Sequence, residues 1–121
     1  MKRFFALCIF ASIFFVRLVH AESCIAPEDA NNHIGEQVSV CGIVASAKYA
    51  VSSPNSPTFL NLNRPYPNQI FTVLIWGVNR SKFTSPPESL EGSKIYVNGT
   101  IKNYKGKPEI VVTDPSQIKK E

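Results

Sequence analysis

The stretch YVNGTIKNYKGKPEIVV, residues 96–112, contains two segments of strand-like composition on either side of a short cationic turn. Alternation across residues 94–102 predicts a strand whose inward side is formed by Ile95, Val97, Gly99 and Ile101. In the turn Asn103–Lys107, Gly106 stands between two lysines, where glycine adopts a positive φ without steric cost. A second strand, Pro108–Thr113, completes a hairpin, so this stretch predicts a domain built from β-sheet.

Three further strands precede the hairpin, so the sequence predicts five strands in all. They are Gln37–Val51, with apolar residues at alternate positions, Thr58–Leu62, and Gln69–Trp76, with apolar residues on both faces. Ala26–Gly35 predicts a short N-terminal helix, and Gly77–Ser93 predicts an irregular or helical connection between the third and fourth strands. This order favours an all-β fold, a small five-stranded OB-fold barrel, because closure leaves no exposed sheet edges.

Three segments of the sequence are similar to a known family. HIGEQVSVCGIV (33–44), TFLNLNRPYPNQIFTVLIWG (58–77) and YVNGTIKNYKGKPEIVVTDPSQI (96–118) resemble the bacterial OB-fold nucleic-acid-binding-like domains. These domains occur as small exported proteins and as modules beside secreted nucleases. The resemblance implies an OB barrel over nearly all of residues 25–118. It implies nucleic-acid binding less directly, since OB barrels also bind oligosaccharides and proteins.

The first 21 residues have the pattern of a secretory signal peptide. Two basic residues precede an apolar run at 4–16, and Val19–Ala21 offers small residues to a signal peptidase. The run is shorter than the ~20 residues that a membrane-spanning helix needs, so no stable membrane insertion is expected after cleavage; an uncleaved anchor is the alternative. The sequence therefore predicts an exported protein, periplasmic or secreted. Its OB-fold domain would occupy residues 22–118, followed by a frayed tail at 119–121.

Net charge does not identify a partner. The signal peptide holds three of the 13 basic residues, so the mature chain has 10 against 9 acidic ones. An argument for a polyanionic ligand must therefore rest on where the charges lie in the fold.

The mature chain keeps two cysteines, Cys24 and Cys41. An even pair in an oxidising compartment favours a disulfide, which would contribute ~3 kcal/mol on the chain-entropy model. Two buried thiols, or a free Cys24 on a flexible N-terminus, are the alternatives. A metal site is not expected, because His33 is the only histidine left and the set lacks a fourth ligand.

No catalytic pattern stands out in the sequence. It contains no paired-carboxylate motif, no glycine-rich phosphate loop, and no Ser/His/Asp set that this layout could bring together. We therefore expect a binding module rather than an enzyme, with no cofactor.

A cluster of basic and aromatic residues is predicted at one rim of the barrel. An OB-fold binds its ligands on the face of the second and third strands, between two loops that correspond here to residues 50–57 and 103–107. Single-stranded nucleic acid is held by a cationic groove and by aromatic rings on which bases stack. The acidic residues Glu28, Asp29, Glu36, Glu88 and Glu91 are expected elsewhere. The candidate nucleic-acid-binding residues are Lys48, Tyr49, Arg64, Tyr66, Lys102, Tyr104, Lys105 and Lys107.

Two functions remain open for this rim. The first is non-specific binding of single-stranded DNA or RNA, or of another polyanion. The second is a protein-interaction or structural module of the cell envelope, whose partner could be an envelope protein or a nuclease. Lysines at hairpin tips also keep sheets soluble, and Phe59, Phe71 and Trp76 are expected in the core because a small barrel needs large side chains inside.

Overall fold

A computed structural model describes residues 23–121, and the predicted signal peptide lies outside the described residues. The fold is all-β, with one hydrogen-bonded sheet and a few short helices. The strands are β1 (Gln37–Tyr49), β2 (Thr58–Leu62), β3 (Thr72–Ile75), β4 (Lys94–Thr100), β5 (Lys102–Tyr104), β6 (Lys107–Val111) and β7 (Ile118–Lys120). The helices are α1 (Gly77–Arg80) and the 3₁₀ turns Pro27–His33, Pro87–Leu90 and Pro115–Gln117.

The long strand β1 organises the sheet, because each of its halves pairs with a different strand. Residues 37–43 pair antiparallel with β4, and residues 44–49 pair antiparallel with β2. The register shifts between Val44 and Ser46, where a bulge inserts an extra residue into β1. β2 then pairs with β3, and β3 pairs in parallel with β6, which gives the order β5-β6-β3-β2-β1-β4-β7.

The described residues form seven strands, where the sequence predicts five. The first addition is β5, which pairs with β6 across the turn at Lys105 and Gly106. The second is β7, which pairs with β4, so the tail at 119–121 is not frayed as predicted. Ile118 at the start of β7 packs against the core, which explains why this segment pairs with β4.

No ladder joins β4 to β6 within residues 23–121, so the hydrogen-bonded sheet is open rather than the closed five-stranded barrel that the sequence predicts. The two strands nevertheless pack closely. A Cβ atom placed on Gly99 of β4 would lie 2.7 Å from Cγ2 of Ile110 on β6. Only a glycine permits this approach, which brings the two sides of the curled sheet together.

The core lies on the concave side of the sheet. The predicted inward side of residues 94–102 is confirmed, because Ile95, Val97, Gly99 and Ile101 are all buried. The predicted pairing of that strand with residues 108–113 is wrong, because β4 pairs with β1 and β7 and the hairpin is formed by β5 with β6. Leu60, Phe71 and Ile110 are among the largest fully buried side chains. The expectation that Phe71 is a core residue is therefore confirmed.

The N-terminal segment is attached to β1 by both covalent and hydrogen bonds. Cys24 and Cys41 form the predicted disulfide, with Cα atoms 5.7 Å apart. Next to it, the Ile25 N–H donates to the Ser39 carbonyl at 2.8 Å and the Cys41 N–H donates to the Ile25 carbonyl. The predicted helix at Ala26–Gly35 is present as the shorter 3₁₀ turn Pro27–His33.

Candidate functional site

The convex face of strands β1, β2, β3, β6 and β5, here called the outer face, carries a transverse row of polar side chains. Residues that are partners in a ladder point to the same side of the sheet. The strand registers therefore align Ser46, Asn61, Thr72, Glu109 and Lys102 in one row. Asn61 Nδ2 donates to Ser46 Oγ at 3.0 Å, and Thr72 Oγ1 donates to Asn61 Oδ1 at 2.9 Å. Hydrogen bonds thus order this row from β1 as far as β3.

A second row on the outer face is apolar except at one end. The registers align Lys48, Phe59, Leu74 and Val111, two residues along from the polar row. Phe59 and Val111 are half-buried, and Leu74 is 6% exposed although it is not part of the core cluster. Two residues after Leu74, Trp76 is 36% exposed. Phe59 and Trp76 are therefore not core residues, contrary to the prediction.

The β5–β6 hairpin presents the third row, Tyr104 opposite Lys107. Lys105 and Gly106 both have positive φ, 51° and 85°, as a tight two-residue hairpin turn requires. The Tyr104 ring is 57% exposed, and Lys105 Nζ lies 5.3 Å from its centroid. Lys107 Nζ donates to the Gln69 carbonyl at 2.8 Å, which fixes its ammonium beside β3. The hairpin therefore combines an exposed ring with positioned cations.

Lys48 and Tyr49 point to opposite faces of the sheet, because successive strand residues alternate. Lys48 is exposed on the outer face, whereas Tyr49 pairs with the fully buried Thr58 on the other side. Arg80 covers the Tyr49 ring, with Cζ 3.5 Å from the centroid. Of the eight candidates, Tyr49 is the one that the structure separates from the rim.

Arg80 also forms the best-defined ion pair among the described residues, and this pair lies on the Tyr49 side of the sheet. Arg80 donates from both terminal nitrogens to the two carboxylate oxygens of Glu88 at 2.7 Å, and Nη1 also donates to Thr58 Oγ1. The hydrogen bond from Arg80 lowers the pKa of Glu88, while burial opposes the shift. This bidentate pair joins α1 to the turn Pro87–Leu90 and is a structural contact rather than a ligand site.

Arg64 and Tyr66 lie in the β2–β3 turn at the β1 end of the polar row. The Tyr66 N–H donates to Ser46 Oγ at 3.0 Å, and the Tyr66 side chain is 72% exposed. Arg64 is exposed, but its neighbour Asn63 donates to both carboxylate oxygens of Glu28, at 3.2 and 3.0 Å. Glu28 is therefore next to this turn and not remote from the rim, contrary to the expectation.

Glu109 is the one acidic residue within the five strands that form the outer face. Burial raises the pKa of its carboxyl group, and the charge of Lys102 opposes the shift. The sequence analysis does not include Glu109, Phe59 or Trp76 in the site. For Glu109, the signal is the alternation of β6, in which buried Pro108 and Ile110 place Glu109 outward.

Two classes of site are not indicated within residues 23–121. No group of three or more potential metal-ligating side chains comes together there. In the same part of the chain, no helix has the length and hydrophobicity needed to cross a membrane.

The comparisons with known proteins bear on the fold. No protein-family model and no curated protein matches the chain. Among solved structures, a protein from Leishmania major Friedlin assigned as an aspartyl-tRNA synthetase is similar, with a TM-score of 0.53 and 12% sequence identity. The similarity covers 91% of this chain and 22% of the other, so the chain spans about a fifth of that protein's length. At this identity the likeness shows a shared fold.

Proposed function

We propose that this protein is an exported OB-fold module that binds single-stranded nucleic acid, or another polyanion, without strong sequence preference. One observation carries the proposal: the outer face presents Lys48, Lys102 and Lys107 together with the exposed ring of Tyr104 and the half-buried ring of Phe59. Ammonium groups neutralise phosphates, and exposed rings stack on bases, so this face combines the two elements of single-strand binding.

The OB-fold assignment is supported by the chain path. β1 contributes to two ladders, β3 and β6 pair in parallel, and Gly99 brings β4 against β6. The structural neighbour is assigned as an aspartyl-tRNA synthetase, and the tRNA in that assignment supports a nucleic-acid partner. Export is supported by the Cys24–Cys41 disulfide, since such bonds persist in oxidising compartments. An OB-fold and export together match the bacterial exported OB-fold domains that the sequence resembles.

A protein-interaction module is the second candidate function, and exposed apolar side chains favour it. Val51 is 60% exposed, Val78 is 81% exposed, and Trp76 is 36% exposed. An envelope protein or a nuclease could bind there. If this function is the correct one, oligonucleotide binding should not depend selectively on the hairpin lysines.

Titration of a fluorescein-labelled oligo-dT strand at several salt concentrations tests the proposal. Tyr104→Ala should weaken binding by ~1–3 kcal/mol with an unchanged salt slope, because stacking releases no counterions. The double variant Lys105→Gln, Lys107→Gln should instead flatten the slope by ~0.7 for each phosphate that the protein no longer neutralises.

The chain contains a matched control on β4. Lys94 Nζ lies 5.7 Å from the centroid of the Tyr96 ring, a geometry close to that of Lys105 and Tyr104. Tyr96→Ala and Lys94→Gln should leave binding unchanged, since β4 is not part of the outer face. Equal losses in the hairpin and β4 variants would reject the proposed site, and absence of binding by the parent protein would favour the protein-interaction module.

A further inference from the structure

An acidic side chain at the centre of a polyanion-binding face needs an explanation. Glu109 lies in the polar row between Thr72 and Lys102, with Lys107 and Val111 on the same side of its own strand. A carboxylate there repels phosphate, so a face adapted only to the backbone of a polyanion would gain from any neutral residue. The position instead suits a group that contacts the bases.

The neighbours of Glu109 leave its acceptor oxygens available. Within residues 23–121 its carboxylate has no hydrogen bond and no ion pair, although it is half-buried. The Thr72 hydroxyl donates to Asn61 and not to Glu109. Lys107 Nζ donates to the Gln69 carbonyl, and Lys102 is the one charged group on the neighbouring strands that acts on Glu109 electrostatically. The oxygens can therefore accept hydrogen bonds from a ligand.

The surfaces on either side of Glu109 can hold a base with its edge towards the carboxylate. On one side are the half-buried Val111 and Phe59 of the apolar row, with Leu74 buried between them, and on the other is the exposed ring of Tyr104. Side chains two residues apart on a strand are separated by ~6.6 Å, so each platform adjoins the polar row. A base lying on either surface directs its edge at the polar row, where Glu109 has the unused acceptors.

We propose that Glu109 selects guanine within the bound single strand. Guanine presents two adjacent donors, N1–H and the N2 amino group, which match the two oxygens of a carboxylate in a bidentate pair. Adenine and cytosine place an acceptor beside their amino donor, and thymine and uracil flank their single N–H with carbonyl oxygens. Each of these bases would therefore place an acceptor atom opposite one of the carboxylate oxygens, which is unfavourable because neither atom carries a hydrogen to donate. The inference rests on the proposed function and adds a base preference to it.

The test uses nine-nucleotide oligo-dT strands that differ only at the central position. The centre is dT, dG, dA, dC or deoxyinosine, and deoxyinosine keeps N1–H but lacks the N2 amino group. The parent protein should bind the dG strand about tenfold more tightly than the deoxyinosine strand, within the usual range for a bidentate base contact. Glu109→Gln should reduce this ratio to about twofold or less and leave affinity for the all-dT strand equal or higher. Glu36→Gln, which changes an exposed acid outside the outer face, should keep the parent ratio.

The outcomes separate the inference from the proposed function. Equal affinity of the parent protein for dG and deoxyinosine strands would overturn the inference, and so would a full dG preference in Glu109→Gln. In both cases binding to oligo-dT would persist, and the proposed function would stand. If Glu109→Gln raised affinity for every strand equally and the parent showed no preference, the carboxylate would only repel phosphate, which also overturns the inference. No binding to any strand would overturn both.

Discussion

The close approach of β4 to β6 makes a prediction that tests how the sheet curls. In Gly99→Ala the new methyl group would lie 2.7 Å from Cγ2 of Ile110, well inside ordinary van der Waals contact. Both residues are buried, so the overlap can be relieved only by moving a strand or by forcing a side chain from its rotamer. Such overpacking costs ~1–3 kcal/mol, and we expect the free energy of unfolding to fall by that amount.

A double-mutant cycle with Ile110→Ala isolates this contact. Ile110→Ala alone should cost ~2–5 kcal/mol, because it removes buried methyl groups from the core. It also removes Cγ2, so adding Gly99→Ala in that background should cost nothing, or stabilise by up to ~1 kcal/mol through the unfolded state. The coupling between the two positions should therefore be ~1–3 kcal/mol and favourable.

Urea unfolding followed by fluorescence measures these values, since Trp76 is the only tryptophan in the chain. Gly42→Ala is the matched control, because its methyl group would meet Asn63 Oδ1 at 2.6 Å and has no contact with Ile110. Ile110→Ala should not rescue Gly42→Ala. If Gly99→Ala unfolds like the parent, or if its effect simply adds to that of Ile110→Ala, then β4 and β6 do not pack as described.

Two further predictions concern covalent and ionic contacts outside the outer face. The Cys24–Cys41 disulfide spans a sequence separation of 17 residues, so Cys41→Ser should lower the free energy of unfolding by ~3 kcal/mol, and alkylation of non-reduced protein followed by intact-mass analysis should find no free thiol in the parent. Arg80 holds the pKa of Glu88 below its ordinary value of 4.5, so the stabilisation from this pair is complete above that value and is lost as the pH falls through the lowered pKa. Urea titrations at about pH 5 and about pH 3 should show a smaller loss of stability for Glu88→Gln than for the parent, and equal losses would rule out the linkage.

The buried side of β4 and the turn of the β5–β6 hairpin could be predicted from the sequence because local rules determine them. Alternation from Ile95 to Ile101 specifies the buried side, and the glycine at 106 permits the positive φ of a two-residue turn. The tail was not predictable in the same way. β7 has three residues, and only Ile118 packs against the core, so no periodic pattern marks it as a strand.

The site was harder to predict because a bulge decides which residues of β1 face outward. Val40 and Val44 are buried, and continued alternation would bury Lys48 as well. The bulge between Val44 and Ser46 shifts the register by one residue, which turns Lys48 to the outer face and Tyr49 to the Arg80 side. The apolar alternation of β1 does not reveal this inserted residue. The only indication is that unbroken alternation would bury Lys48, and lysine is rarely buried.

Under the proposed function, the placement of charges and not their sum would determine how this chain binds a polyanion. The mature chain would have 10 basic and 9 acidic residues, yet two of the acids form ion pairs away from the outer face, Glu88 with Arg80 and Glu121 with Lys94. Glu28 is hydrogen-bonded to Asn63 beside the β2–β3 turn. Opposite charges farther apart than the ~8 Å screening length at physiological salt cancel little of each other's local effect. A ligand at the hairpin end of the outer face therefore meets the hairpin lysines and one acid, Glu109, whereas Glu28 lies beside the β2–β3 turn. Because of this, binding should depend steeply on salt although the mature chain would be nearly neutral, and Glu109 should decide which bases the face prefers.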